Sequence, residues 1–176
     1  MAHCVTCERL RAGNNRPRVA SSGRGTGILS GVSTVQVDVV IQASLEQVWV
    51  AAADLESHVE WMADAESITF LTARRRGPGT RMKVATRVGP FQTTDIMEVT
   101  DWVDRHRIGV RHTGLVTGEG AFELESIDAA TTRFTWKEQL SFPWYLGGPV
   151  TALAASPVLA VIWKRNLKRL KQHLER

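Results

Sequence analysis

Residues 140–163 carry no charged side chain, and the positions that follow, Lys164, Arg165, Lys168, Arg169 and Lys171, are basic. This asymmetry restricts the C-terminal part of the chain to two structures: a membrane span with a positive flank, or an amphipathic helix of a globular domain. Length favours a span, since about 20 apolar residues cross a bilayer. Composition opposes it. Pro143, Pro149 and Pro157 interrupt the run, Gly147 and Gly148 precede the helical pattern, and Thr151, Ala152, Ala154, Ala155 and Ser156 dilute its hydrophobicity. The apolar pattern also continues through the charges. Leu159, Trp163, Leu167, Leu170 and Leu174 are spaced four, four, three and four apart, which puts them on one face of one helix. A span needs no such stripe in its flank, whereas a helix lying on a sheet does. The expectation is a soluble domain with a helix over residues 150–173, roughly 36 Å long at the standard rise.

The preceding residues supply the sheet. Val35, Val37, Val39 and Ile41 alternate with Gln36, Asp38 and Val40, the period of a strand with one buried face. Ser44 with Gln47 is a capping-box pattern opening a helix with Val48, Trp49 and Ala52. The helix breaks near Asp54, and a second short one holds His58, Val59, Trp61 and Met62. From residue 67 the alternation returns with turn signals roughly every ten residues, as in an antiparallel meander. Strands are expected at 68–72, 81–88, 92–102 and 105–112, followed by a glycine-rich stretch at 114–120 that suggests a bulge. Phe134, Trp136, Glu138 and Leu140 share one face of the last strand. The order is strand, two short helices, about six antiparallel strands, long helix. Such a sheet curls and its apolar face must be covered. Only the last helix is long enough, and space left between the two becomes a cavity.

At 176 residues, 43% of them hydrophobic, the chain fits one domain able to bury a core unaided. Residues 1–32, rich in Gly, Ser, Asn and Arg, are expected to be a disordered basic tail, leaving residues 33–176 as the domain. The net charge of +4 fits a solvated surface; Arg74, Arg75 and Arg76 adjoin Gly77, Pro78 and Gly79 as a turn tip, and basic and aromatic residues do not interleave as a nucleic-acid groove requires. Cys4 and Cys7 with His3 supply three ligands of a zinc site and no fourth, so no metal is expected. Without a disulfide framework or an apolar signal core, a cytoplasmic location is expected.

Three segments carry a family resemblance. They are T-V-Q-V-D-V-V-I-Q-A-S-L-E-Q-V-W over residues 34–49, F-T-W-K-E-Q-L-S-F-P over residues 134–143, and P-V-L-A-V-I-W-K-R-N-L-K-R-L-K over residues 157–171. On these residues the chain resembles the polyketide cyclase/dehydrase and lipid-transport superfamily, the START-like (SRPBCC) group. The resemblance implies an α+β helix-grip (START/Bet v 1-like) fold, with a curved antiparallel sheet wrapped around a long C-terminal helix and two short helices after the first strand. It also implies an apolar tunnel for a small hydrophobic molecule such as a lipid, isoprenoid or polyketide, and requires no cofactor. Many members are carriers, so chemistry has to be argued from side chains.

Glu138, between Trp136 and Leu140 on the inward face, must find a partner or a proton in apolar surroundings. It serves a ligand hydroxyl or acts as an acid or base, unless it pairs with an arginine at the sheet end. His112 shares the face of Ile108 and Val110 and is a candidate general base, though strand-end histidines are often only half-exposed polar residues. Glu119 can face either way. Trp61, Met62, Met82, Val84, Ile108, Val110, Phe122, Trp136, Trp144 and Leu153 are the expected cavity walls; each alone is compatible with plain core. No G-x-S-x-G elbow, H-E-x-x-H or phosphate-cradling glycine loop occurs. Two readings follow: a non-catalytic binder of a hydrophobic ligand, and a cyclase- or dehydrase-type enzyme using Glu138 and His112. A third possibility is peripheral membrane contact through the cations of residues 164–171.

Overall fold

The computed structural model describes residues 31–176, so the histidine–cysteine cluster and nearly all of the expected tail lie outside the described residues. Strand β1 (Gly31–Ile41) buries Ser33, Val35 and Val37 and exposes Thr34, Gln36 and Asp38. It begins two residues before the expected boundary at 33. Gly31 pairs with Phe142 and lies so close to the last helix that a Cβ there would stand 2.3 Å from the Gly148 carbonyl oxygen. A side chain at this junction would force the chain apart.

Ser44 caps helix α1 (Leu45–Ala53) as its spacing predicts: the Gln47 amide donates to Ser44 Oγ, and Gln47 Oε1 accepts from the Ser44 amide at 2.9 Å. After Asp54 the chain turns through a short 3-10 segment (Leu55–Ser57) into α2 (His58–Trp61). That break brings His58 and Trp61 to the interior. The fully buried His58 ring donates from Nε2 to the Ala52 carbonyl over 2.9 Å. Burial, opposed by that hydrogen bond and by Asp54, drives its pKa down to about 4, so the ring is neutral near pH 7.

Six further strands follow: β2 (Ala65–Phe70), β3 (Arg81–Val88), β4 (Phe91–Val103), β5 (Arg107–Thr113), β6 (Thr117–Asp128) and β7 (Thr131–Phe142). They form one curved antiparallel sheet of order β1-β7-β6-β5-β4-β3-β2. The glycine-rich stretch contains no bulge; the register shifts instead fall at Ala65/Ser67, Val99/Asp101 and Ser126/Asp128. Gly118 and Gly120 pair regularly with Leu140 and Glu138.

Helix α3 (Gly148–Leu174) continues unbroken through Pro157 and buries Ala152, Trp163, Asn166, Leu167 and Leu170. Leu159 and Leu174 lie on the same stripe and are half-buried against the core. Its main contacts run along β1 and β7, so it covers one part of the sheet more closely than the rest. Ser33 and Ser156 hydroxyls meet at 2.7 Å, and Lys171 donates to the Val40 carbonyl at 2.6 Å. Asn166, wholly buried, accepts from the Ala63 amide at 3.0 Å and donates to Asp64 at 2.5 Å, tying α3 to the α2–β2 connection. Trp61, Phe122, Phe134, Trp136 and Trp163 fill the centre, with ring centroids 5.0 to 6.4 Å apart.

This packing has two measurable consequences. Since the folded His58 pKa lies below its unfolded value of 6.5, its contribution is complete above that pH. Denaturant unfolding at stepped pH should show about 3 kcal/mol lost as the pH falls from about 6.5 to 4, a slope that His58→Phe removes. Asn166→Leu strands the Ala63 amide and should cost about 2 kcal/mol in the same assay.

Candidate functional site

Antiparallel pairing fixes which side chains converge on the concave face. From β7 come Trp136 and Glu138; from β6, opposite them, Phe122 and Gly120; from β5, Ile108, Val110 and His112; from β4, Met97; from β3, Met82 and Val84. Leu55, His58, Met62, Ala65 and Ile68 close the other side. These groups enclose a cavity of about 70 Å³, apolar except where Glu138 and the two histidines reach it. It is smaller than the roughly 300–1,000 Å³ typical of drug-sized ligand sites. A polyketide or lipid of that size requires the walls to move, and Met62, at the end of α2, is among the more adaptable of them.

The polar end is organised around one carboxylate. Glu138 Oε1 lies 3.2 Å from His112 Nε2 and 3.3 Å from the indole Nε1 of Trp136, which donates to it. No described residue hydrogen-bonds Oε2. A Cβ at residue 120 would fall 2.4 Å from Glu138 Oε1, so glycine on the neighbouring strand is what leaves room for the carboxylate. Burial lowers the His112 pKa, but the hydrogen bond and charge of Glu138, with the charge of Asp95, outweigh it and the net shift is upward. His112 therefore holds its proton more firmly than a free histidine, opposite in sense to His58. Asp95, buried on the inner face of β4, is held by the Thr93 hydroxyl at 3.1 Å and the Leu115 amide at 3.0 Å. Asp64, in the α2–β2 connection, has its pKa raised by burial, against the Asn166 hydrogen bond, with the Glu138 charge adding to the rise.

The structure brings together most of the residues singled out from the sequence. Glu138, His112, Met62, Met82, Val84, Ile108, Val110, Phe122 and Trp136 line the cavity. Trp61 is buried behind it, against Phe122 and Trp136. The expected arginine partner of Glu138 is replaced by His112. Glu119 points outward and pairs with Arg111. Two expected wall residues are elsewhere. Trp144 lies in a 3-10 turn (Trp144–Leu146) between β7 and α3 and is 65% exposed. Leu153 is 79% exposed, because it follows the buried Ala152 and one residue rotates a helix by about 100°. Sequence reasoning missed His58, Asp95 and Gly120. Asp95 had a readable signal, a carboxylate alternating in step with Met97 and Val99. His58 and Gly120 had none, since their roles depend on a backbone carbonyl and a neighbouring strand.

Among the described residues no group of three or more His, Cys, Asp and Glu side chains could hold a metal ion, and no helix is long and apolar enough to cross a membrane. The fold matches solved structures of low sequence identity. The protein TTHA0849 from Thermus thermophilus aligns at 19% identity with a TM-score of 0.70, over 80% of this chain and 96% of that one. The Zhui aromatase/cyclase from Streptomyces sp. R1128 aligns at 18% and 0.66, over 82% and 94%. Norcoclaurine synthase from Thalictrum flavum aligns at 12% and 0.63, over 87% and 93%. No curated protein matches the chain in sequence. The model of the family described as polyketide cyclase/dehydrase and lipid transport matches residues 33–175, from within β1 to just past α3; the chain belongs to that family.

Proposed function

We propose that this protein binds a small hydrophobic molecule carrying one hydrogen-bonding oxygen, in the cavity between the sheet and the helices. The observation that carries this reading is the cavity's composition: apolar walls with a polar end at Glu138 and His112, and beside them only His58, whose Nε2 is committed to the Ala52 carbonyl. Apolar burial supplies affinity, and the few polar groups orient the ligand. Oε2 of Glu138 accepts a ligand hydroxyl, or the protonated His112 ring donates to a ligand carbonyl. The family's description, which includes lipid transport, agrees with a carrier.

The same pair supports a second reading, an enzyme of the cyclase or dehydrase type. His112 and Glu138 are adjacent, both reach the cavity, and His112 holds a proton above its ordinary range. In that reading the imidazolium polarises a ketone oxygen while the carboxylate accepts a proton from the neighbouring carbon. Two proteins of similar fold are named as enzymes, the aromatase/cyclase and the norcoclaurine synthase.

Native mass spectrometry and solvent extraction after mild purification should show a bound apolar compound. An empty protein, whose melting temperature no hydrophobic probe raises, overturns both readings. Val84→Phe, which fills the cavity, should reduce occupancy at least about tenfold. Glu138→Gln should weaken binding of a hydroxylated ligand by about tenfold. With an identified substrate, loss of turnover in Glu138→Gln at unchanged binding selects the enzyme; retained turnover in both Glu138→Gln and His112→Ala excludes it.

A further inference from the structure

The outer face of α3 is divided along its length. Its first half exposes Val150, Leu153, Val158 and Val161, and the turn before it exposes Trp144 and Tyr145; all six are between 50% and 79% exposed. On a helix of 3.6 residues per turn the four helical positions fall in the same arc, about 160° wide, as Lys164, Arg165, Lys168 and Arg169 of the second half. All four cations are exposed, and none forms an ion pair among the described residues. Asp64, the carboxylate in the cleft beside Arg165, Lys168 and Arg169, is committed to Asn166. The opposite arc is the buried stripe of Ala152, Trp163, Asn166, Leu167 and Leu170. The sheet therefore uses none of the apolar outer half, and monomeric proteins seldom leave a contiguous patch of this kind without a partner.

We propose that the outer face of α3 docks on an anionic lipid bilayer, its apolar half and the two preceding aromatic residues entering the acyl boundary while the four cations lie among the headgroup phosphates. Charge complementarity selects this occupant. A bilayer offers hydrocarbon and negative charge side by side and demands no shape match from a convex helix. A second copy packed in line is poorly suited: a parallel pair opposes cations to cations, and an antiparallel pair sets each apolar half on the other's cations. The helix lies on the membrane rather than across it, consistent with its being too weakly apolar to span. The docking does not depend on what the cavity holds.

Sedimentation of the full chain with vesicles tests this. Vesicles of equal parts phosphatidylglycerol and phosphatidylcholine should pull the protein down, and vesicles of phosphatidylcholine alone should do so at least about tenfold less. Leu153→Asp with Val158→Asp, at surface positions that leave the core untouched, should reduce binding to the mixed vesicles at least about tenfold, as should Lys168→Glu with Arg169→Glu. Both double variants retain the arginines of residues 1–30, so binding that survives the aspartates locates the contact elsewhere and overturns the proposal. Absence of binding by the unaltered chain also overturns it. So does a dimer that the aspartate variant dissociates without any vesicle binding, which assigns the face to a second copy.

Discussion

Strand β7 is hydrogen-bonded on both sides, to β1 and to β6, so the face toward which each of its residues points cannot be adjusted without breaking two ladders. This constraint governs the site. The register that sends Phe134 and Trp136 into the core sends Glu138 there too, beside Val35 on one neighbour and Gly120 on the other. A buried carboxylate costs several kcal/mol unless it is hydrogen-bonded. His112, arriving from β5, and the Trp136 indole supply those bonds, while the missing side chain of Gly120 supplies the space. The Glu138–His112 pair is thus a consequence of strand register, which also sets it at the edge of the cavity.

The two inward histidines show how local partners set opposite protonation behaviour within one core. His58 faces a carbonyl and aromatic rings, so desolvation dominates and the ring is neutral. His112 is also desolvated, yet it faces Glu138 with Asp95 nearby, and the negative charge prevails. One ring holds the α1–α2 break in place; the other is tied to Glu138 at the edge of the cavity.

Helix α3 serves the sheet with its inner stripe and leaves its outer face free. Trp163 stacks on Trp136 at 5.0 Å, and Asn166 clips the α2–β2 connection. The small residues of the first half divide between the two roles: Ala152 is buried and permits close approach to β1, whereas Ala154 is exposed. What is absent from the sheet contact is the set of larger apolar residues around Leu153, and this is why the first half reads as span-like in the sequence without belonging to the core.

The sequence by itself determined the element order, the inward faces of β1, β5 and β7, the capped α1 and the amphipathic α3, and it made Glu138 and His112 the candidates for the concave side. These are matters of period two and period 3.6, carried by residues close together in the chain. Family membership was legible on different grounds, as a resemblance carried by the motifs of residues 34–49, 134–143 and 157–171. Only the tertiary structure decided that Glu138 pairs with His112 rather than with an arginine, that Gly120 makes room for it, that the cavity is small, and that Trp144 and Leu153 face outward. Each of those depends on distances between strands or on how far a helix is rolled against its sheet, and neither is encoded in the spacing of residues along one element.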